Sequence, residues 1–254
     1  MRVIHRLTLA PLVAAFVLAG CQGQQVALLT DPNEILAAAA STAAEASSVH
    51  ADLTVDGTVA LDPLGTGSGT PIDLAGTTAN GDFDLKAAKT HATFSAPALL
   101  GLAGEVIVDD AIYIKTTLTG PQYRSMPLSG EPTPPLEGLT DLLARTDLAP
   151  VKGADAPCAS GTCYTLTLTV DGADLGGVAD LPSALPIPFP MPDVEIGNVD
   201  VTLHIDQATR RLTDATADVD LGDAGDLTLQ GSFTRWNEPV QISAPPPDQV
   251  QAGG

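Results

Sequence analysis

Ser48-Val49-His50-Ala51-Asp52-Leu53-Thr54-Val55-Asp56-Gly57 alternates between apolar and polar side chains, and that alternation decides the fold class. Leu53, Val55, Val59 and Leu61 fall on one phase, and Asp52, Thr54, Asp56 and Thr58 on the other. Successive side chains of a strand point to opposite faces, so a period of two predicts a strand with one dry and one wet face. Tyr164, Leu166, Leu168 and Val170 repeat the pattern against Thr165, Thr167 and Thr169. Val199, Val201, Leu203 and Ile205 do so against Asp200, Thr202, His204 and Asp206. Leu227, Leu229 and Phe233 do so against Thr228, Gln230 and Ser232. Segments near 72–86, 90–95, 104–109, 111–119 and 211–221 complete the set, with turns expected at Asp109-Asp110 and Gln207-Ala208-Thr209. A parallel sheet buried on both faces would read as continuous apolar runs, so one-sided alternation predicts an antiparallel sheet.

The dry face needs a cover. Upstream, Asp31-Pro32-Asn33-Glu34 is a helix start: an Asp cap, Pro in the first turn and an acid at the third helical position. Ile35, Leu36, Ala39, Ala40, Ala43 and Ala46 then form an apolar stripe ending near Ser48, small enough for the helix to lie close to a sheet. A second helix is expected at about 137–148 (Leu139, Leu142, Leu143) and a weaker one at 173–185. So few helices over so many strands predict an α+β fold: a strongly curved antiparallel β-sheet, or half-barrel, with a few helices packed in its concave face. Two segments resist regular assignment, the small apolar run from Ala96 to Gly104 and Leu185-Pro-Ile-Pro-Phe-Pro-Met-Pro192. The second is forced into an extended, polyproline-like backbone. It would either gate an opening to the interior or rest on the core as a stiff crossover.

At the N-terminus, Arg2 and Arg6 precede an apolar run from Leu7 to Ala19, and Leu18-Ala19-Gly20-Cys21 follows the pattern of a bacterial lipobox. The run is shorter than the roughly 20 apolar residues that span a bilayer, and has the design of a secretory signal. Cys21 would take a thioether to diacylglycerol, and two acyl chains of the palmitate type anchor stably where one does not. Residues 1–20 are thus expected to be a lipoprotein signal peptide, 21–30 a lipid-anchored tether, 31–243 a single lipid-binding half-barrel domain and 244–254 a disordered tail. The expected location is extracytoplasmic, lipid-anchored to the cell membrane.

Removing residues 1–20 takes away two of the 11 Lys+Arg and none of the 31 Asp+Glu, leaving 9 against 31, or a formal charge of −22. Such a surface repels phosphate backbones and anionic head groups, which argues against a nucleic-acid partner. With Cys21 assigned to lipid, Cys158 and Cys163 remain as a pair, which in an exported protein points to a disulfide closing a short loop.

Chemistry leaves few traces. His50, His91 and His204 stand apart from any Gly-x-Ser-x-Gly elbow, and no His-Glu-x-x-His, phosphate loop or dinucleotide fingerprint occurs. Asp218, Asp220, Asp223 and Asp226 surround a Gly-containing turn without the spacing of a calcium loop, leaving calcium there an open question. No cofactor and no metal are expected. Abundant Leu, Val and Ala with few aromatics suit acyl chains, which are held by burying methylenes at about 0.8 kcal/mol each.

The lipobox, the early helix, Ser48–Gly57, Asp109-Asp110-Ala111-Ile112-Tyr113-Ile114 with Gln122-Tyr123, the Pro-rich run before Val194 and the closing Phe233–Ile242 together resemble the LppX/LprG-type lipoproteins of bacterial cell envelopes. The resemblance implies a half-barrel around helices, with a cavity for multi-acylated lipids. The 62–71 insertion and the Cys158–Cys163 pair have no counterpart in that pattern. The expected function is a membrane-anchored, non-catalytic lipoprotein that binds or transfers an acylated lipid or glycolipid, tethered through lipidated Cys21. Leu99, Leu100, Leu102, Leu142, Leu143, Leu181, Leu185, Ile187 and Phe189 are the candidates to line or gate the cavity. The rival readings are a structural or interaction lipoprotein with a closed core, and a hydrolase using paired carboxylates.

Overall fold

The computed structural model describes residues 27–61, 70–128, 137–172 and 196–251. Helix α1 (Pro32–Glu45) starts where the sequence predicts: the Asp31 carboxylate accepts the Asn33 N–H at 2.8 Å and also the Glu34 N–H. That satisfies donors a helix start leaves orphaned, a contribution of about 1 kcal/mol. The chain turns at Ala46 and enters β1 (Ser48–Leu61). There follow β2 (Thr70–Asp73), β3 (Thr77–Asp84), β4 (Lys89–Ala96), β5 (Leu102–Val108), β6 (Ala111–Thr116) and β7 (Arg124–Pro127). After α2 (Glu137–Ala144) come β8 (Val151–Lys152), β9 (Ala156–Cys158) and β10 (Gly161–Asp171). The last strands are β11 (Asn198–Asp206), β12 (Leu212–Asp220) and β13 (Gly225–Thr234).

All of these strands join one antiparallel sheet in the order β7-β6-β5-β4-β3-β1-β13-β12-β11-β10-β8, with β2 on β1 and β9 on β10. The sheet stays open between its β7 and β8 edges, a half-barrel with the helices against its concave face. β1 is the pivot. It pairs with β13 from His50 to Val59, and on its other side with β3 up to Val55 and with β2 from Thr58. Gly57, at φ +117°, marks the change of partner, and the Leu74 N–H reaches its carbonyl at 2.8 Å.

The core sits in one half of the half-barrel. Ile35, Leu36, Ala39 and Ala40 of α1 and Leu143 of α2 bury against Tyr164, Leu166, Leu168 and Val170 of β10 and Val199, Val201, Leu203 and Ile205 of β11. Val49, Leu212 and Phe233 close this cluster. Trp236 seals its end, donating its indole N–H to the Leu212 carbonyl at 3.1 Å.

Two expectations need correction. The segment expected to be a disordered tail is docked over residues 244–251: the Ala244 N–H donates to Asp109 at 3.0 Å, and Tyr123 exchanges backbone hydrogen bonds with Gln249 and Gln251, each 2.8 Å. Its prolines suggest disorder because they cannot complete a sheet, yet single backbone contacts are enough to pin an extended strap. Helix α2 is shorter than expected, ending at Ala144 and not 148. The expected helix at 173–185 and the Pro-alternating run at 185–192 lie outside the described residues.

Candidate functional site: the concave face of the sheet

Strand register places one continuous set of side chains on the concave face. Leu168, Val201, Ala217, Leu229, Val55 and Thr77 form one row across six strands. The next runs Leu166, Leu203, Ala215, Gly231, Leu53, Ala79, Phe94, Gly104 and Thr116. A third adds Ala51, Gly81, Ala92, Val106 and Ile114. At the sheet's two edges the second row ends on Lys152, opposite Leu166, and the third on Arg124, opposite Ile114. Between these edges every side chain is apolar or a threonine, able to bury hydrocarbon but not to transfer a proton at neutral pH.

The rows differ in how well they are covered. Under the helices, Leu166, Leu203 and Ile205 are at most 1% exposed. In the middle of the sheet, Leu53 is 37% exposed although it belongs to the dry phase of a central strand. Its row neighbours are Gly231 and Ala79, which lack the bulk to cover it. Val55, Ala79, Phe94, Val106 and Leu229 are half-buried. The floor is kept low by close packing: a Cβ at Gly104 would stand 2.7 Å from the Phe94 ring, and one at Gly81 would stand 2.9 Å from the Ala92 methyl. The exposed apolar floor was missed by residue-level reading, because Leu53 reads in sequence as an ordinary core position.

The candidate residues named from sequence separate in space. Leu143 is buried in the core and Leu142 packs at its margin, both on α2. Leu102 is buried at the start of β5, Leu99 is half-buried, and Leu100 projects into solvent from the intervening turn. Leu181, Leu185, Ile187, Phe189 and Cys21 lie outside the described residues.

The convex face carries the charge. Burial alone would raise the Glu105 pKa, but hydrogen bonds from Lys115, Tyr123 and His91 overcome it and hold the carboxyl at about 2. The Lys115 ammonium lies 2.7 Å from Glu105, donates to the Tyr123 hydroxyl at 3.1 Å and sits 4.4 Å from that ring's centre. His50 and Arg235 both engage Asp82, at 2.8 and 2.7 Å. These networks sit opposite the apolar face, the first of them at Tyr123, which also holds the C-terminal strap, so they brace the sheet.

Cys158 and Cys163 form a disulfide across the β9–β10 hairpin. Ser160, between them, donates to the buried Asp206, which also accepts from the backbone N–H groups of Ala208 and Thr209. Among the described residues this is the only grouping of three ligand-type side chains close enough to share a metal, and both its sulfurs are consumed in the bridge. The acids of 218–226 make local bonds instead: Asp218 accepts from Thr228, and Asp220 from the Gly222 N–H. Among the described residues no helix is long and apolar enough to cross a membrane.

No family model and no curated protein sequence matches this chain. Solved structures do. LprF from Mycobacterium bovis aligns with a TM-score of 0.55 at 18% identity, over 86% of this chain and 98% of that one. The Mycobacterium tuberculosis lipoprotein LppX aligns with a TM-score of 0.50 at 18% identity, over 84% of this chain and all of that one. The fold is therefore that of the LppX/LprG-type lipoproteins.

Proposed function

From a fold shared with LprF and LppX, we propose that this protein is a non-catalytic lipid-binding lipoprotein of the cell envelope, anchored through Cys21, which holds the acyl chains of a lipid or glycolipid against its concave face. One observation carries the reading: a dry-phase leucine in the centre of the sheet, Leu53, stands partly exposed over a floor of alanine and glycine. Each acyl methylene buried there contributes about 0.8 kcal/mol, so a chain of a dozen carbons gains enough to stay bound without any polar clamp. Between the edge residues Lys152 and Arg124 the three concave rows hold no acid–base group, which suits carriage better than turnover.

The test is extraction of the purified protein with organic solvent followed by mass spectrometry, beside uptake of a fluorescent fatty acid. Acyl lipid in the extract and saturable uptake are expected. An empty extract together with no uptake would refute the proposal. Ala79→Trp, which places an indole beside Leu53 on the floor, should reduce uptake about tenfold while leaving the circular dichroism spectrum unchanged. Cys21→Ser should release the protein from the membrane fraction.

A further inference from the structure

Two leucines at one end of the half-barrel stand largely exposed among the described residues. Leu100, in the β4–β5 turn, is 83% exposed, and Leu118, in the β6–β7 turn, is 51% exposed. The turns are neighbours: the Thr117 N–H donates to the Ala103 carbonyl at 2.8 Å, and the Thr117 hydroxyl reaches the Gly101 carbonyl at 3.3 Å. Each turn is also braced internally, the first by Gly101 N–H to Pro97 at 2.9 Å, the second by Gly120 N–H to Thr116 at 3.2 Å. The tips are therefore held outward on stiff supports.

Leu100 adopts φ +56°, a left-handed backbone that a bulky side chain resists and that glycine or asparagine takes readily. The fold accepts that strain in order to present a leucine to water, and strain kept at a surface position points to use.

The charge distribution identifies what the tips meet. Residues 74–81, 92–104 and 116–123, at this end of β3–β7, contain no Asp, Glu, Lys or Arg, in a chain with 11 Lys+Arg and 31 Asp+Glu. Asp73, just before the first of them, is held in its turn by accepting the Ala75 N–H at 2.9 Å. The β12–β13 turn, at the same end of the sheet, holds Asp220, Asp223 and Asp226. A neutral lipid interface requires no charge of the surface that meets it and penalises any that is buried in it.

We infer that the Leu100 and Leu118 tips insert into the surface of a zwitterionic bilayer and set the neutral edge of the half-barrel against it, so that acyl chains pass from the bilayer to the concave face beside Leu53. The inference deepens the carrier reading of this site and rests on it. The acidic surface makes the contact weaken as anionic lipid is added.

The experiment uses the full chain incorporated into phosphatidylcholine vesicles, with a nitrobenzoxadiazole label on Leu100→Cys, Leu118→Cys or, as the control at the same end, Asp223→Cys. The unsubstituted chain sets the labelling background. Blue-shifted emission and quenching by doxyl-phosphatidylcholine are expected at 100 and 118 but not at 223, diminishing when half the lipid is replaced by phosphatidylglycerol. Labels at 100 and 118 quenched no more than at 223 would overturn the inference, and continued uptake of fluorescent fatty acid from solution would show that the carrier reading survives. Quenched tips without any fatty acid uptake would uphold the docking and count against carriage. Leu100→Gly separates use from architecture: it should raise the melting temperature by relieving the left-handed strain, yet slow acyl transfer from vesicles several-fold.

Discussion

Gly57 on β1 and Gly225 on β13 each lie against the other strand's backbone: a Cβ on Gly57 would stand 2.2 Å from the Asp226 carbonyl oxygen, and one on Gly225 would stand 2.1 Å from that of Thr58. Both have φ near +120°, so alanine at either is opposed by backbone preference and by a backbone atom that cannot swing aside. Gly57→Ala and Gly225→Ala should each lower stability by about 2–3 kcal/mol, measured by urea denaturation. A loss below about 0.5 kcal/mol would mean that the crossing relaxes freely. On the convex face, Glu105 makes a pH prediction. Its folded pKa of about 2 lies below the ordinary 4.5, so its stabilisation is complete above about pH 4.5 and is lost as pH falls toward 2. The stability gap between the native protein and Glu105→Gln, on the order of 2 kcal/mol at pH 6, should close across that window. A gap independent of pH would remove the carboxylate from the account.

At the scale of elements, the parts legible in sequence are those whose partners repeat locally. Strand β1 announces itself because Leu53, Val55 and Val59 share a face by period alone, and α1 because Asp31, Pro32 and Glu34 are cap chemistry. The run from Ala96 to Gly104 was ambiguous because its small residues fit neither period; in space it divides into a turn at 97–101 and the start of β5. The strap at 244–251 was illegible for a different reason. Its order comes from Tyr123 and Asp109, more than a hundred residues away, and no local pattern records a partner at that distance. Ending the chain at Ser243 should therefore remove about 2–3 kcal/mol, the worth of two backbone hydrogen bonds to Tyr123 and one to the Asp109 carboxylate at about 1 kcal/mol each. Hydrogen exchange should speed up in β6 and β7 and stay unchanged in β10 and β11. Uniform acceleration through the sheet would show that the strap supports the whole fold and not one edge.

At the scale of the molecule, the half-barrel is unevenly filled, an asymmetry that the proposed carriage of an acyl chain would need. Helices α1 and α2 and most of the buried side chains among the described residues sit over β10–β13, so this half can remain folded whether or not a lipid is present. The β3–β7 half buries Ala96, Leu102 and Ile114 but presents Phe94, Val106 and Ile112 only half-buried, leaving surface for an acyl chain to cover. Local stability follows buried apolar contact, so the two halves should differ in the free protein, with backbone amides of β10–β12 exchanging more slowly than those of β4–β6. A ligand that binds only the native state stabilises the residues it covers in proportion to its occupancy. Loading with a long-chain fatty acid should therefore slow exchange mainly in β3–β6 and around Leu53, with little change in β10 and β11, which the helices already protect. The pattern distinguishes carriage on the concave floor from adsorption to the outside: protection confined to the convex strands, or spread evenly over both halves, would place the bound chain elsewhere and leave the exposed floor without a function.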